Sequence, residues 1–549
     1  MMACNNSKRK AVLISLAVIC VMVLAGFAAC NRGGASTRVS SGLSSDISAE
    51  ITIMMWSGDN MYWPDIGSLD LSPDDLYAQN VAGAYATAKE FKKLYPNVKI
   101  NFFAKSGSDS DEDGTWEQHR DNFRMAYGLY PDIYPSKDLT GDIQRGLIAD
   151  LSIFKDDPLY KIFNPQVMAM MNVGGRQFGL PQYLLPWGIY INKSLAEANN
   201  IDIPDPDWTI AEYTRFINHS RPNEFYGSYG EYGVDLGLVN TGTRDYSYML
   251  LNHQSGGQFV NVNSDATRNL LRYVAQWKAN SVLDNYALEL VSWEFIDAHW
   301  GWGFKFWLES KLLTYTNDPW QMGDAAHPNP NHWGAVKAAD WDIYPRPSTD
   351  YMENTVGIVL DPLVIRNYAM DDGNPALSAE EEAKLRIAWE FAKFWCGDSR
   401  SMEARANQQY RDGQTYKSSL TSSFPMVTGP EFSRQMEIWY TPEIHQRFKD
   451  KNKMPGFHYI LELWEKGQFW DVSDKAYPWY YDFEGTRRPI AYEWENANNP
   501  DVVAALSTAP NWLDQVYARL PQWNTAMNQR WQAEMQRVEE SLNRYYPIR

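Results

Sequence analysis

Three of the four cysteines in this chain of 549 residues fall within the first thirty positions, which leaves Cys396 alone in the rest. A lone late cysteine excludes an intramolecular disulfide beyond residue 30, so a chain of this length must hold together by core packing. Cys396 lies in AWEFAKFWCGDS and reads as a small, buried apolar side chain. Also missing are the phosphate-cradling GxxxxGKS/T, the nucleophile elbow GxSxG and the zinc-binding HExxH. These absences remove P-loop nucleotide hydrolysis, elbow-serine hydrolysis and zincin chemistry. Positive charge is scarce: 50 Lys and Arg stand against 68 Asp and Glu, a net charge of −18. Such a surface repels nucleic acid and anionic membrane, so neither is an expected partner. No internal repeat is present, and after residue 26 no apolar run is long enough to cross a bilayer.

The one apolar run is AVLISLAVICVMVLAG (11–26), preceded by Lys8, Arg9 and Lys10 and followed by Phe27, Ala28, Ala29 and Cys30. It is short for a membrane span of roughly 20 residues. The pattern resembles a bacterial lipoprotein signal, cut before a cysteine that then carries lipid; Phe27 stands where leucine is usual. On that resemblance residues 1–29 are a signal peptide and Cys30 is the lipidation site. An ordinary secretory signal and an uncleaved anchor are the alternatives. Removing 1–29 takes away three cations and no anion, which moves the net charge from −18 to −21. Residues 31–50 are rich in Gly and Ser, a flexible tether reaching about 25 Å.

Aromatic residues are plentiful, with 23 Trp, 33 Tyr and 22 Phe. Such rings fill large cores, and their faces also suit the C–H faces of sugar rings. ITIMMW (51–56) reads as a buried strand and VKINFF (98–103) as a second. Between them Val81, Tyr85, Ala88, Phe91 and Tyr95 share one face of a helix over 79–95, stopped by Pro96. Strand, helix, strand at this spacing predicts a parallel α/β unit. Ser378 and Glu381 form a capping box for a helix to about 396 that Gly397 closes. Trp523, Met527, Trp531, Met535, Val538, Leu542 and Tyr545 predict a long amphipathic C-terminal helix.

Metal chemistry is weakly signalled. DSDEDGTWEQHR (109–120) places Asp109, Asp111, Asp113 and Glu117 at calcium-loop positions, but Arg120 stands where a bidentate Glu is required. An exposed acidic turn before a helix is the plainer reading. His327 and His332, five apart in HPNPNH, lack a third ligand nearby in sequence. No cofactor and no resident metal are expected.

Taken in order, several segments resemble the extracellular solute-binding proteins of ABC importers, in the carbohydrate-binding group that includes maltose-binding protein. They are YPDIYPSKD (130–138) with GLIADLSIF (146–154), GGRQFGLPQ (174–182) with IYINKSL (189–195), DWTIAEYTRF (207–216), LLTYTNDPWQMG (312–323) with DIYPRP (342–347), and AWEFAKFWCGDSR (388–400). The likeness covers roughly 50–400; residues 401–549 share only a largely helical pattern. It implies a two-lobe α/β fold of the periplasmic-binding-protein type (type II), with a hinge and a ligand cleft between the lobes. Lobe one is then 51–185 plus 358–415, and lobe two 186–357 plus 416–549, behind the lipidated tether of 30–50.

The resemblance also implies a function: a non-enzymatic receptor, anchored by lipid outside the cytoplasmic membrane. It would bind a sugar or oligosaccharide as a monomer and deliver it to a membrane permease. By position, Trp320 would stack on a sugar ring. Trp56, Ser57 and Asp59 follow the first strand, whose end faces the cleft, and Gln182, Tyr183 and Trp187 lie at the crossover. Trp302, with Trp300, is a cleft aromatic or a core residue; Asp132 is structural or a site residue; WYYDFEGTRR (479–488) mixes rings with charge. A receptor for a non-sugar solute such as a peptide, a surface-anchored carbohydrate-active enzyme and a sugar sensor are the competing readings.

Overall fold

The computed structural model describes residues 43–57, 61–106, 123–125, 128, 130–222, 224–229, 253–258, 261, 263–277, 280–282, 304–316, 340–370, 377–413, 415–420, 424–471, 482–483, 486–487 and 512–546. From Ser44 onward these belong to one unit. Strand β1 (Ala49–Ser57) runs parallel to β3 (Val98–Ser106) in unbroken register, from Ala49 opposite Val98 to Ser57 opposite Ser106. Parallel strands need a long connection, and helix α1 (Gln79–Lys92) supplies it. Val81, Tyr85, Ala88 and Phe91 are buried along it as the spacing predicts. The helix ends at Lys92, and Tyr95 reaches the core from the turn beyond it.

A short edge strand, β2 (Met61–Trp63), pairs antiparallel with β3, and β4 (Ile133–Pro135), which leads into α2 (Leu139–Gln144), lies parallel on the other side of β1. Strand β5 (Leu180–Trp187) leaves this sheet and, after Gly188, becomes β6 (Ile189–Asn192) of a second one. There β6 lies between β7 (Thr314–Thr316) and β8 (Trp341–Tyr344), antiparallel to both. Strand β9 (Val356–Ile365) carries the chain back, pairing with β5 along Leu180–Trp187 and with β4 at its far end. The last strand, β10 (Phe469–Asp471), completes a seven-stranded first sheet. The outward and returning chains thus form one antiparallel ribbon between two sheets. Gly188 marks the crossing: a Cβ there would lie 2.5 Å from the Tyr344 carbonyl oxygen and from Ile343 Cγ1, so only glycine allows the strands this close.

Helices cover both sheets. Beside the second lie α3 (Ile210–Ile217) and α4 (Asp265–Trp277); Trp277 Nε1 donates to Thr214 Oγ1 at 2.7 Å. Against the first lies α5 (Ala379–Gly397), with the predicted Ser378–Glu381 capping box in place, and α6 (Ser399–Asn407) packs on α1. Helix α7 (Pro430–Trp439) packs on α6, whereas α8 (Pro455–Glu465) packs on β8 of the second sheet. The join is aromatic: the Trp439 ring stacks on His445 (3.9 Å between centroids) and meets Phe424, Phe448 and Phe457 within 5.8 Å. The long helix α9 (Trp512–Tyr545) follows the predicted stripe, with Trp523, Trp531, Met535, Val538 and Leu542 buried. Tyr546, rather than Tyr545, closes the stripe in the core. Among the described residues no helix is long and apolar enough to cross a membrane.

Buried Asp342 fastens α8 to β8. Its carboxylate accepts from the backbone N–H groups of Gly456 (2.7 Å) and Phe457 (3.2 Å) at the start of that helix. Burial nevertheless pushes its carboxyl up to about 6 against those hydrogen bonds. A folded-state value above the unfolded one means a contribution to stability that is full below about pH 4 and is lost as pH rises through 6. Asp342→Asn cannot titrate, so its stability relative to the parent rises between pH 4 and 7. Denaturant midpoints across that range test the sign.

Candidate ligand site at the carboxyl end of the first strand

Strand β1 ends with Trp56 and Ser57, opposite Lys105 and Ser106 of β3. Asn80, at the start of α1, donates from Nδ2 to the Trp56 carbonyl at 2.7 Å, which holds the strand end against that helix. The turn after β4 brings Lys137 over the indole, with Nζ 4.6 Å from the ring centroid. Lys137 escaped the sequence reading because it meets Trp56 through a strand pairing 80 residues apart in the chain (Ile53 opposite Ile133).

Met55 and Ser57 share one face of β1, two residues and about 7 Å apart. Gln182 of β5 reaches that face, its Nε2 only 3.4 Å from Met55 Sδ, a weak acceptor. Gln182 and Ser57 are both buried, at 2% and 9% exposure. Gln182 Oε1 and Ser57 Oγ have no hydrogen-bond partner among the described residues. Two such oxygens on one face are costly in a folded core, at roughly 1–3 kcal/mol each. Next along the ribbon, Asp361 is buried opposite Tyr183 beside a register shift at Pro362. A carboxylate inside the apolar run VGIVLDPLVI was a legible signal for it that went unused.

Tyr183 and Trp187 lie on β5, their side chains outside the description. Asp59, Trp302, Trp320, Cys30 and the acidic residues Asp109, Asp111, Asp113 and Glu117 lie outside the described residues, as do His327 and His332. Among the described residues no group of three His, Cys, Asp or Glu is placed to hold a metal.

Asp132 is a clamp at the opposite, amino end of the sheet. Its carboxylate accepts from the Thr52 N–H (2.7 Å) and the Tyr368 hydroxyl (2.8 Å), with Arg366 3.8 Å away, and burial pushes its carboxyl up. It lines a cavity of about 680 Å3 with Asn101, Arg366 and Lys384. Asn101 is itself engaged, by Glu50 and by the Asp65 N–H, so this wall serves to join β1, β4 and β9. Asp132→Asn exchanges an acceptor for a donor facing another donor. It should cost about 1–3 kcal/mol in denaturant unfolding and leave ligand binding unchanged.

The DWTIAEYTRF segment is structural as well. Thr209 and Glu212 form a capping box for α3, and the buried Trp208 donates to the Pro345 carbonyl at 2.9 Å.

An open α/β sheet whose strand ends face a ribbon to a second sheet is a known arrangement. An ABC substrate-binding protein from Listeria monocytogenes, in complex with cycloalternan, aligns over 87% of this chain and 99% of its own, at 13% identity and a TM-score of 0.51. A sugar transporter from Rhizobium etli in an open conformation aligns over 87% and 100%, at 14% identity and a TM-score of 0.53. The fold is that of the extracellular solute-binding proteins. A family 1 member from Alicyclobacillus acidocaldarius aligns over 88% and 100%, at 12% identity and a TM-score of 0.50. No family model and no curated protein sequence matches the chain.

Proposed function

We propose that this protein is the lipid-anchored, extracytoplasmic receptor of an ABC importer. It binds a sugar or oligosaccharide between its lobes and passes it to a membrane permease without altering it. The reading rests on Ser57 Oγ and Gln182 Oε1, buried oxygens with no partner among the described residues, at the strand end where this fold receives its ligand. A polyol supplies hydroxyl groups that can donate to both. The Trp56 indole alongside offers an apolar face for the ring, with Asp59, Tyr183, Trp187, Trp302 and Trp320 as further wall residues. The printed ligand of the Listeria neighbour, cycloalternan, and the description of the Rhizobium neighbour as a sugar transporter favour a saccharide. Lipidation at Cys30 would hold the receptor near its permease by the tether of 31–50. The proposed lobes are 51–185 plus 358–415 and 186–357 plus 416–549, with the chain passing between the sheets at Gly188 and before β9.

Titration calorimetry with gluco-, manno- and xylo-oligosaccharides, followed by chromatography of the recovered sugar, tests this directly. One series binds at one site per chain and returns intact. Shortened sugars would make the protein an enzyme, and binding of peptides alone would make it a peptide receptor.

A further inference from the structure

Helix α9 is fastened to both lobes. Its 34 residues span about 50 Å. Near the amino end, the Tyr517 hydroxyl donates to the Arg268 carbonyl at 3.0 Å, and the Arg268 guanidinium lies 5.9 Å from the Tyr517 ring centroid. Asn524 Oδ1 accepts from the Asn263 N–H at 3.4 Å. Those partners lead into and open α4, which is joined through Trp277 to α3; the Trp208 indole just before α3 meets Tyr344 of β8 at 5.1 Å. That end therefore belongs with the second sheet.

The carboxyl half grips the first sheet as well, while Glu539 Oε1 also accepts from Gln254 Nε2 at 2.7 Å and Trp531 meets His253 edge to face at 5.9 Å. Glu534 Oε1 accepts from Gln144 Nε2 at 2.8 Å, at the end of helix 139–144, which follows β4. The Tyr546 hydroxyl donates to the Ile148 carbonyl at 2.8 Å, and its ring meets Phe178 at 4.8 Å, edge to face. Ile148 is itself bridged to Arg366 at the end of β9, and Ala149 N–H donates to the Ile365 carbonyl at 2.7 Å. Pro521 lies inside the helix, between Tyr517 and Asn524. It removes the hydrogen bond to the Tyr517 carbonyl and so makes a weak point beside that grip.

We propose that α9 is a strap across the lobes, a connection separate from the β5–β9 ribbon that sets how freely the hinge moves. Hinge motion changes the distance between the two sets of contacts. The strap must then release one grip or yield at Pro521 each time the lobes move. This rests on the two-lobe fold and is independent of what the cleft binds; its failure would leave the saccharide reading untouched.

The test is amide hydrogen exchange on the full chain, comparing parent protein with two double variants. Y517A/N524A frees the second-lobe end, and Q144A/Y546F loosens the first-lobe end while keeping the Tyr546 ring. A strap fails when either end is lost. Both variants should therefore speed exchange about tenfold in the hinge strands 180–187 and 356–365, which neither pair touches. Faster exchange confined to 512–546 and the residues directly released would overturn the proposal, as would a hinge effect from one end alone. Should Y517A/N524A not fold, Y517F removes only the hydroxyl and carries the same test with the same two outcomes.

Discussion

Gln182→Met is expected to weaken saccharide binding at least tenfold while raising the melting temperature of the ligand-free protein. The two effects share one cause. Gln182 is buried; among the described residues its amide nitrogen reaches the Met55 thioether and its oxygen has no partner. In the free protein that oxygen is a net cost to folding; a methionine of similar volume removes it and packs against Met55. In the proposed complex the same oxygen would accept from a ligand hydroxyl, so its loss would remove a hydrogen bond worth about 1.4 kcal/mol or more, a factor of ten. Ser57→Ala should act in the same direction with a smaller gain in stability. Calorimetry and a melting curve on each variant suffice. A variant that loses stability and keeps affinity would mean that Gln182 belongs to the core alone.

The larger effect on stability is expected at Trp439. Its fully buried indole lies between His445 and Phe457 and touches Phe424 and Phe448. Phe448 in turn meets Trp341 of β8 at 5.8 Å between ring centroids. The cluster joins α7, which packs on α6, to α8, which packs on β8. Trp439→Ala leaves a cavity among rigid rings that cannot collapse around it, and should cost about 3–5 kcal/mol. Because the cluster sits at a junction, the unfolding transition should also broaden as the lobes lose cooperativity. Trp439→Phe should recover most of the loss. A cost below about 1 kcal/mol would show that the cluster repacks, and that the junction depends on other contacts.

Much of the first lobe was legible because its signals are local. The run 51–56, the apolar face of 79–91 and the alternation at 98–103 specify β1, α1 and β3, and parallel pairing follows from their spacing. Ser378 and Glu381 specified a helix start for the same reason. The Thr209–Glu212 box has the same spacing and is equally local. What sequence could not supply was long-range geometry. Nothing in SKD indicates that Lys137 will lie over Trp56, and nothing in the C-terminal stripe indicates that one helix grips both sheets. Trp56, Ser57 and Gln182 could be chosen as site residues only through resemblance. Among the described residues Ser57 Oγ and Gln182 Oε1 have no hydrogen-bond partner, and that is the observation on which two of them are proposed.

The measurement that bears most directly on a saccharide receptor is a thermal-shift screen of residues 31–549 against mono- and oligosaccharides, amino acids and short peptides. A ligand at about a hundred times its Kd stabilises the fold by roughly 2.7 kcal/mol, a readable shift. The account predicts stabilisation by one glycan series, lost in Gln182→Met. Stabilisation by peptides or amino acids with none from any glycan would contradict it.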